Sequence, residues 1–275
     1  MPELPEVETT RRGIEPLIVG QPINDFIAHH NQLRWPICAQ MPAAIQNQTV
    51  QSCQRRGKYL LIEFAHGYQI IHLGMSGSLR HAPLDDPLLK HDHAEWRLPG
   101  VRLLYNDPRR FGAILWHPHS AGPIGEHPLL AKLGVEPLGD DFSPNCLYKG
   151  FKNRRQAVKN ALLNGHIVVG VGNIYASEAL YRAGIHPETP AGQLSRYRLG
   201  KLHEAIQHTL HTALAAGGTT LQDYINATGE PGSYFELHAQ VYGKEGEPCP
   251  RCQQPIRRMV QNQRATYYCR RCQRR

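Results

Sequence analysis

Two pairs of cysteines near the C-terminus constrain the fold of this chain more than any other feature. Cys249 and Cys252 form one Cys-x-x-Cys pair, and Cys269 and Cys272 form a second after a gap of 16 residues. Two such turns joined by a short hairpin place four thiolates tetrahedrally around one Zn²⁺ and leave no coordination position open. The other three cysteines are scattered, which argues against a disulfide framework and for a reducing compartment. The spacing therefore predicts a zinc hairpin that binds one structural zinc ion.

The basic residues of the chain concentrate in this zinc segment. Lys and Arg total 31 against 23 Asp and Glu, and the last 25 residues hold eight arginines and no acidic residue. Such a charge favours a polyanionic partner, because binding to phosphates releases their counterions. Arg264 and Thr266 lie in the second half of the hairpin, where a guanidinium can face a phosphate. We expect the hairpin to contact nucleic acid, although ribbons that brace a fold or bind protein have the same spacing.

The N-terminus places a proline directly after the initiator methionine. If Met1 is removed, Pro2 presents a free secondary amine. An α-amine has a pKa of about 7.7–8.0, so part of it is unprotonated near neutral pH. Such an amine attacks electrophilic carbon to form a Schiff base, and Glu3 beside it can act as the acid or base. For these two residues alone, an ordinary processed start followed by a polar turn is the plainer interpretation.

Apolar patterns predict a leading helix followed by a strand-rich region. Residues 3–19 combine an acidic first turn with an apolar face of helical spacing. From about residue 22 to 118, short apolar or alternating runs lie between turn residues, which predicts an antiparallel sandwich or barrel. The candidate strands are Tyr59–Phe64, Gln69–Leu73, Glu95–Leu98, Arg102–Tyr105 and Ala113–Trp116.

A Gly- and Pro-rich stretch over residues 121–144 is typical of a domain connection, and helical patterns follow it. The turn Gly170–Gly172 precedes one candidate helix, and the amides at such a helix start suit phosphate, although a plain turn is the commoner explanation. A polar, glycine-rich loop runs from Gly217 to about Gly232. The candidate helices are Phe151–Leu163, Asn173–Ala183, Ser195–Ala216 and a short segment near Leu221.

Six motifs and the zinc hairpin, in this order along the chain, resemble the formamidopyrimidine-DNA glycosylase family of bacteria, which excises oxidised purines such as 8-oxoguanine. The motifs are PELPEVE at 2–8, RRGKYL at 55–60, HLGMSG at 72–77, NDPRRFG at 106–112, GVGNIYASE at 170–178 and QVYGKEGEPC at 240–249.

The resemblance implies an α+β multidomain fold. Residues 1–133 are then a catalytic antiparallel β-sandwich with a leading helix, and 134–150 a linker. Residues 151–236 are a helix-two-turns-helix domain with a lesion-capping loop, and 237–275 a zinc β-hairpin finger. The loop from about Thr219 to Tyr234 matches the segment that closes over the extruded base.

The resemblance also implies the chemistry. The amino-terminal proline of the family attacks the anomeric carbon of the damaged nucleotide and expels the base, and Pro2 occupies that place. The Schiff base acidifies the neighbouring sugar protons, and β and δ eliminations then cut the strand on both sides of the lesion. Glu3 matches the general acid that assists opening of the sugar ring. Glu6 matches a supporting carboxylate, with compensation of the helix dipole as its alternative.

Three residues match phosphate contacts of the family, and a fourth is a weaker match. Lys58 corresponds to a lysine that contacts phosphate at the lesion and counts among the catalytic residues, while Asn173 and Arg264 correspond to phosphate clamps. Lys159 corresponds to a further DNA-binding lysine. A solvated surface lysine is the alternative for Lys58 and for Lys159.

Three further residues match the side chains that fill the void left by the flipped nucleotide: Met75, Arg109 and Phe111. An unstacked void favours flat or flexible apolar fillers, and Arg109 can hydrogen-bond the orphaned cytosine. Without the resemblance, Met75 and Phe111 would be assigned to the core. The one departure from the family pattern is in the tail, where Ala265 and Arg270 replace residues that are commonly glycine and proline, which bears on loop geometry.

The resemblance thus implies a bifunctional glycosylase and AP lyase that acts on double-stranded DNA containing oxidised purines, and we expect it to act as a monomer. An endonuclease VIII-like relative for oxidised pyrimidines and a catalytically silent protein that binds damaged DNA remain alternatives, whereas a zinc-ribbon transcription factor leaves the N-terminal half unexplained. No run of 18 apolar residues and no secretory signal pattern occur. We therefore expect a bacterial cytoplasmic or nucleoid protein without a membrane partner.

Overall fold

The computed structural model describes residues 2–219, 227 and 232–275. The described residues form both helices and strands. The helices are α1 (Leu4–Ile18), α2 (Met41–Ile45), α3 (Pro144–Phe151), α4 (Val158–Leu163), α5 (Asn173–Ala183), α6 (Arg196–Ala215) and α7 (Tyr234–His238). The strands are β1 (Pro22–Ile23), β2 (Asp25–Ala28), β3 (Gln48–Thr49), β4 (Ser52–Arg56), β5 (Tyr59–Phe64), β6 (Gly67–His72), β7 (Ser78–Ala82), β8 (Asp92–Leu98), β9 (Val101–Asn106), β10 (Ala113–Pro118), β11 (Arg257–Gln261) and β12 (Arg264–Tyr268).

The chain divides into two compact units. The first contains the described residues of 2–131 and 216–235, and the second contains residues 132–215 and 236–275. The three-part domain division stated above stays a prediction. Residues 144–150, at the end of the predicted linker, belong to α3.

The first unit is built on two four-stranded antiparallel sheets. One sheet has the order β10-β6-β5-β4 and the other the order β2-β8-β9-β7. A single cluster of buried side chains draws on both sheets and on α1, with Ile14 from the helix, Phe64 from one sheet and Trp96 from the other. Strand β2 contributes Phe26, its one buried residue, to this cluster, and its neighbours Asp25 and Ile27 are less buried because successive side chains of a strand point to opposite faces. The predicted antiparallel sandwich with a leading helix is confirmed.

The second unit combines α3–α6 with the hairpin β11–β12. Helix α5 is buried along most of its length and ends at Gly184, which adopts the left-handed conformation at φ 69°. The hairpin turns at Asn262 and Gln263, whose φ angles are 45° and 61°. Two positive φ angles in a two-residue loop are the signature of a type I′ turn, which matches the twist of paired strands. The C-terminal hairpin therefore forms as predicted.

Sequence patterns predicted strands β5, β6, β8, β9 and β10 and helices α1, α5 and α6, whereas the single helix predicted over Phe151–Leu163 is wrong. Asn153 adopts a positive φ of 61°. The backbone that follows pairs with residues 189–192, as in the bonds from Val158 N to Thr189 O (2.8 Å) and from Gly192 N to Arg154 O (2.9 Å). These bonds use backbone groups that a continuous helix would need, so α3 and α4 are separate helices.

Two other predictions concern the chain outside the described residues. The helical segment near Leu221 lies there, as does most of the loop predicted to cap the lesion. No helix in the described part of the chain is long and apolar enough to cross a membrane.

Gly112 permits a test of packing in the first unit. A Cβ at this position would lie 1.7 Å from Tyr105 Oη and 2.6 Å from the carbonyl oxygen of His72. Because Tyr105 is fully buried and the carbonyl belongs to a sheet strand, neither can retreat freely. We expect Gly112→Ala to lower the free energy of unfolding by about 1–3 kcal/mol or more, measured by denaturant unfolding. Gly125→Ala is the control, because its Cβ would meet no atom within 4 Å, and equal midpoints for the two variants would contradict the prediction.

Candidate functional site

The first residues of the chain are buried and held in place by a carboxylate. Pro2 and Glu3 are buried, and Glu3 is the N-cap residue of α1. The backbone N–H of Glu3 donates to Glu6 Oε2 at 2.7 Å. Pro5 follows within the first turn, where a proline loses no helix hydrogen bond. The residue next to Pro2 is therefore fixed by the start of the helix rather than left to fray.

The second oxygen of Glu6 reaches the chain after α6. Glu6 Oε1 accepts from the backbone N–H of Thr219 at 2.7 Å. Gly218 has a φ of 86°, and a Cβ there would lie 3.0 Å from the same oxygen. Glu6 is 1% exposed. It thus joins the N-cap of α1 to Thr219, a structural connection that a role in dipole compensation alone would not require.

Lys58 lies in the turn between β4 and β5, not in the strand itself. It follows Gly57, which has a φ of 59°, and its side chain is half-buried. Helix α1 packs against both strands. The ammonium is close enough to His72 to contribute to the low pKa of that ring, about 4, although burial is the largest cause and Arg34 also contributes.

His72 is a site residue that sequence reasoning missed. Its Nδ1 accepts from the backbone N–H of Gly74 at 3.0 Å. With the pKa this low, the ring is neutral at pH 7 and carries its proton on Nε2. The ring borders a cavity of about 280 Å³ lined by Arg34, His72, Gly74, Met75 and Phe111. Its place at the head of the HLGMSG motif was the available signal.

Two of the predicted filler residues project into solvent. Met75 is 40% exposed and Phe111 is 52% exposed, so the core assignment left open by the sequence is excluded. Arg109 is also exposed, and its Nη1 lies 4.0 Å from Met75 Sδ. The structure brings these three side chains together on the surface of the first unit.

A buried carboxylate fixes the turns that carry the fillers. Asp107 is fully buried and accepts from Ser76 Oγ at 2.7 Å and from Gly112 N at 2.8 Å. Ser76 Oγ in turn accepts from Arg109 N at 3.2 Å. A Cβ on Gly74 would lie 2.4 Å from Gly112 N, so the two turns touch at backbone level. Ser76 and Asp107 lie within quoted motifs, but their positioning role was not predicted.

In the second unit, Lys159 is the centre of a buried network. The side chain is 0% exposed, which excludes the solvated lysine that the sequence left as an alternative. Its Nζ donates to Asn173 Oδ1 at 2.6 Å, to Thr266 Oγ1 at 2.6 Å and to Ala265 O at 3.1 Å. The ammonium thereby links α4, the start of α5 and strand β12. Direct contact of Lys159 with DNA stays a prediction, and this burial weighs against it.

Asn173 lies at the first position of α5 and is held from several sides. Its Nδ2 donates to Ala265 O at 2.9 Å and to Tyr242 Oη at 3.1 Å. The ring of Tyr242 packs edge-on against Tyr267, with 5.0 Å between ring centroids. Arg264 is exposed and directly precedes Ala265. Asn173 and the strand that carries Arg264 are therefore fixed relative to each other.

Glu178 orders the segment that carries Tyr242, and sequence reasoning missed both residues. The carboxylate accepts from the backbone N–H groups of Gln240 (2.8 Å), Val241 (3.0 Å) and Tyr242 (2.8 Å). Burial raises the pKa of Glu178, and these backbone donors offset part of that rise. Both residues belong to motifs quoted above.

The four C-terminal cysteines fit a zinc ion. Their Sγ atoms all lie within 4.8 Å of one another, with 3.9 Å between Cys249 and Cys272 and 3.4 Å between Cys252 and Cys269. A tetrahedral site with Zn–S bonds of about 2.3 Å places sulfurs about 3.8 Å apart. Arg251, within the first cysteine turn, donates to the carbonyl oxygens of Tyr181 (3.0 Å) and Arg182 (3.1 Å). The zinc turn thus packs against the C-terminal end of α5.

Family profiles match most of the chain. The formamidopyrimidine-DNA glycosylase N-terminal domain matches residues 1–114, and the H2TH (helix-two-turns-helix) domain of the same family matches residues 133–224. The zinc finger found in FPG and IleRS matches residues 246–275. The chain belongs to the formamidopyrimidine-DNA glycosylase family. The predicted helix-two-turns-helix domain and the structural zinc are thereby confirmed.

Full-length relatives agree with this assignment. Formamidopyrimidine-DNA glycosylase of Bordetella petrii is 56% identical over 275 residues, and that of Burkholderia thailandensis is 51% identical over 277, each with 100% coverage of both chains. The solved structure of Thermus thermophilus MutM (FPG) gives a TM-score of 0.88 at 38% identity, covering 99% of this chain and 98% of that one. A Lactococcus lactis FPG mutant in complex with Fapy-dG containing DNA gives 0.91 at 35% identity, covering 100% of both.

Replacing Lys159 tests whether it positions the site or contacts phosphate. Lys159→Met removes the donors to Asn173, Ala265 and Thr266 while keeping the side-chain length. We expect the free energy of unfolding to fall by about 1–3 kcal/mol, because buried acceptors lose a charged donor. DNA affinity should fall roughly tenfold while the slope of log affinity against log salt is unchanged, since a lost phosphate contact lowers that slope by about one. Lys132→Met, at an exposed position, is the control, and a slope reduced by about one in Lys159→Met would establish direct contact.

Removing a zinc ligand tests the dependence of DNA binding on the hairpin. We expect Cys269→Ser to lose bound zinc and DNA affinity together, because Arg264 and Ala265 lie on strand β12, which directly precedes this cysteine. Zinc content by elemental analysis and affinity by fluorescence anisotropy provide the two readouts. Cys38→Ser, which changes a cysteine outside the cluster, should alter neither. A zinc-free variant with full DNA affinity would show that the hairpin does not contribute to binding.

Proposed function

We propose that the protein is a bifunctional base-excision-repair glycosylase that removes oxidised purines, including 8-oxoguanine and formamidopyrimidines, from double-stranded DNA and then cleaves the strand as an AP lyase. The observation that carries this is the start of the chain. In this member of the family, Pro2 is followed by a buried Glu3 whose backbone N–H donates to Glu6.

Pro2 is the proposed nucleophile. After removal of Met1, its nitrogen lone pair attacks the anomeric carbon of the damaged nucleotide, and the bond between that carbon and the base breaks. Glu3 donates a proton to the sugar-ring oxygen as the ring opens, which leaves a Schiff base on Pro2. The cationic nitrogen acidifies neighbouring sugar protons. Loss of the phosphates on the two sides by β and then δ elimination completes strand cleavage.

Glu6 acts as a positioning residue in this scheme. Its carboxylate accepts from Glu3 N and from Thr219 N, and these contacts hold the residue next to the nucleophile. A reactive amine that must meet one carbon atom gains rate from such prior ordering, because the entropy of alignment is lost before the reaction. The Lys58 ammonium is proposed to bind the phosphate at the lesion and to keep the nucleotide in register.

The remaining proposed roles concern the DNA around the lesion. Met75 and Phe111 enter the space that the flipped nucleotide vacates, and Arg109 pairs with the opposite base. Asn173 and Arg264 bind backbone phosphates. The bound zinc is structural: it holds together the hairpin that carries Arg264 and takes no part in the chemistry.

We further propose the three-part organisation predicted from the sequence, with catalysis in residues 1–133, DNA binding in 151–236 and the zinc finger in 237–275. Because the substrate is chromosomal DNA and the relatives named above are bacterial, the protein should work at the nucleoid.

Borohydride trapping tests the proposed function directly. The protein without Met1 is mixed with an 8-oxoguanine:cytosine duplex and reducing agent, and the cross-linked residue is mapped by mass spectrometry. We expect a covalent adduct on Pro2. The control protein carries an extra N-terminal residue, which converts the Pro2 amine to an amide and should abolish the adduct.

Three other results would contradict the proposal in distinguishable ways. An adduct on Lys58 would show that Lys58, and not Pro2, is the nucleophile. Trapping only with oxidised-pyrimidine duplexes would indicate the endonuclease VIII-like specificity. No trapping with either duplex, alongside tight binding, would indicate a protein that recognises damage without catalysis.

A further inference from the structure

Glu8 is a largely buried carboxylate on α1 that has no part in the chemistry proposed above. It is 9% exposed and is bound by three arginines. Its Oε1 accepts from Arg11 Nη2 at 3.0 Å and from Arg12 Nε at 2.8 Å. Its Oε2 accepts from Arg11 Nε and from Arg55 Nε, both at 3.1 Å. Burial raises the pKa of Glu8, but hydrogen bonds from Arg11 and Arg12 outweigh this and hold that pKa below its usual value, so the carboxylate is charged at neutral pH.

Arg55 connects this carboxylate to the turn that carries Lys58. Arg55 lies on β4, and its side chain is 11% exposed. While its Nε binds Glu8, its Nη1 donates to the carbonyl oxygen of Gly57 at 3.0 Å. That oxygen and the backbone nitrogen of Lys58 belong to the same peptide group, which is planar. Arg55 therefore orients the peptide from which the Lys58 side chain starts.

Arg11 forms a second connection between α1 and β4. Its Nη1 donates to the carbonyl oxygen of Cys53 at 3.2 Å, while its other nitrogens bind Glu8. Glu8 thus holds two largely buried guanidinium groups, those of Arg11 and Arg55, beside one strand. Without the carboxylate these two cations repel each other where little water screens them. Loss of Glu8 would therefore disturb the contacts to β4, and the Arg55 contact is the one that leads to Lys58.

We infer that Glu8 is a positioning residue for Lys58 and acts through Arg55. This rests on the proposed function, in which Lys58 binds a phosphate of the nucleotide that Pro2 attacks. Pro2 lies just before α1, so the contacts from Glu8 to Arg55 and on to Gly57 join the helix next to the nucleophile to the turn next to the phosphate ligand. A misplacement of about 1 Å can lower a reaction rate about a hundredfold. Fixing the turn before DNA binds therefore favours the reaction.

Replacing Glu8 tests the inference with a change whose effect on overall charge acts in the opposite direction. Glu8→Gln removes one negative charge, which by itself favours DNA binding. We expect instead that affinity for an 8-oxoguanine:cytosine duplex falls about tenfold and that the slope of log affinity against log salt falls by about 0.9, because one phosphate contact is lost. The single-turnover excision rate should fall by about tenfold to a hundredfold.

Glu15→Gln is the matched control for this substitution. Glu15 lies on the same helix and pairs with the same arginine, Arg11, at 2.7 Å, but its side chain is 43% exposed. Its replacement removes the same charge and should leave the affinity, the salt slope and the excision rate near those of the unaltered protein. Equal losses in Glu8→Gln and Glu15→Gln would overturn the inference.

A double-substitution cycle separates the positioning of Lys58 from a general bracing of the fold. In a Lys58→Gln background, Glu8→Gln should change the affinity by less than about twofold and leave the salt slope unchanged, because the side chain that it positions is gone. A carboxylate that only braces α1 would give the same losses in both backgrounds, and that result would overturn the inference. So would a Lys58→Gln variant with an unaltered salt slope.

Arg55→Lys provides an independent variant in case Glu8→Gln does not fold. It keeps the positive charge but offers one nitrogen in place of the two that bind Glu8 and Gly57. We expect a loss of affinity that disappears in the Lys58→Gln background, and equal losses in the two backgrounds would again contradict the inference. Failure of the unaltered protein to excise the lesion would instead reject the proposed function itself.

Discussion

Hydrogen bonds accepted by the Glu6 carboxylate from two backbone N–H groups are the interaction on which the proposed active end of the molecule depends. Chain termini are poorly ordered unless they are tied down, yet a reaction carried by an N-terminal amine needs the terminus to be in one place. Glu6 meets this requirement by accepting from Glu3 N and from Thr219 N. Both donors are backbone groups, so the connection does not depend on a second side chain. Burial strengthens it, because water cannot compete for the carboxylate oxygens.

The second unit uses a buried charge of the opposite sign for a comparable purpose. Burying an ammonium is costly unless its donors are satisfied, and Lys159 satisfies them with oxygens from two other elements, Asn173 and strand β12. Replacing Asn173 or Thr266 takes one of these acceptors away from the buried ammonium. The network therefore fixes the positions of α4, α5 and β12 relative to one another. Because Arg264 is the first residue of β12, the same contacts fix its backbone position.

Helices and strands with a clear local sequence pattern were predicted correctly. Features that depend on hydrogen bonds between residues far apart in the chain were missed. Strand Tyr59–Phe64 and helix Asn173–Ala183 were predicted to the residue, because apolar alternation in one case and a Gly-bounded apolar face in the other are visible in a short window. The break between α3 and α4 was missed, since it depends on backbone bonds to residues 189–192. Strands as short as β1 and β3 carry too few residues for any periodicity.

The same distinction holds for the site. Motifs pointed to the residues proposed for the reactive end and for the surface, because the resemblance was carried by those residues. The positioning roles of Lys159 and Asp107 could not be predicted. Nothing in the local pattern around Lys159 distinguishes a buried lysine with several hydrogen bonds from a surface lysine, and the sequence around Asp107 is typical of a turn. Their roles arise from contacts across 31 residues, between Ser76 and Asp107, and across 107 residues, between Lys159 and Thr266.

The exposure of Met75 and Phe111 is best understood together with the rigidity beneath them. Folding normally removes such side chains from water and gains about 25 cal/mol of free energy per Å² of apolar surface buried. Because Met75 and Phe111 stay exposed on adjoining turns, this gain has not been made for them in the folded protein. Asp107 and Ser76 keep those turns from collapsing inward to cover them. Inserting the fillers into a base stack then gains the missing burial with little further loss of conformational entropy. That gain is available to offset the few kcal/mol needed to unstack a nucleotide, which is least for a damaged base. If the turns that carry Met75 and Phe111 were flexible, part of the free energy gained by burying these side chains would be spent on ordering the turns. The buried Asp107 therefore matters to the proposed flipping step, although it touches no DNA in this scheme.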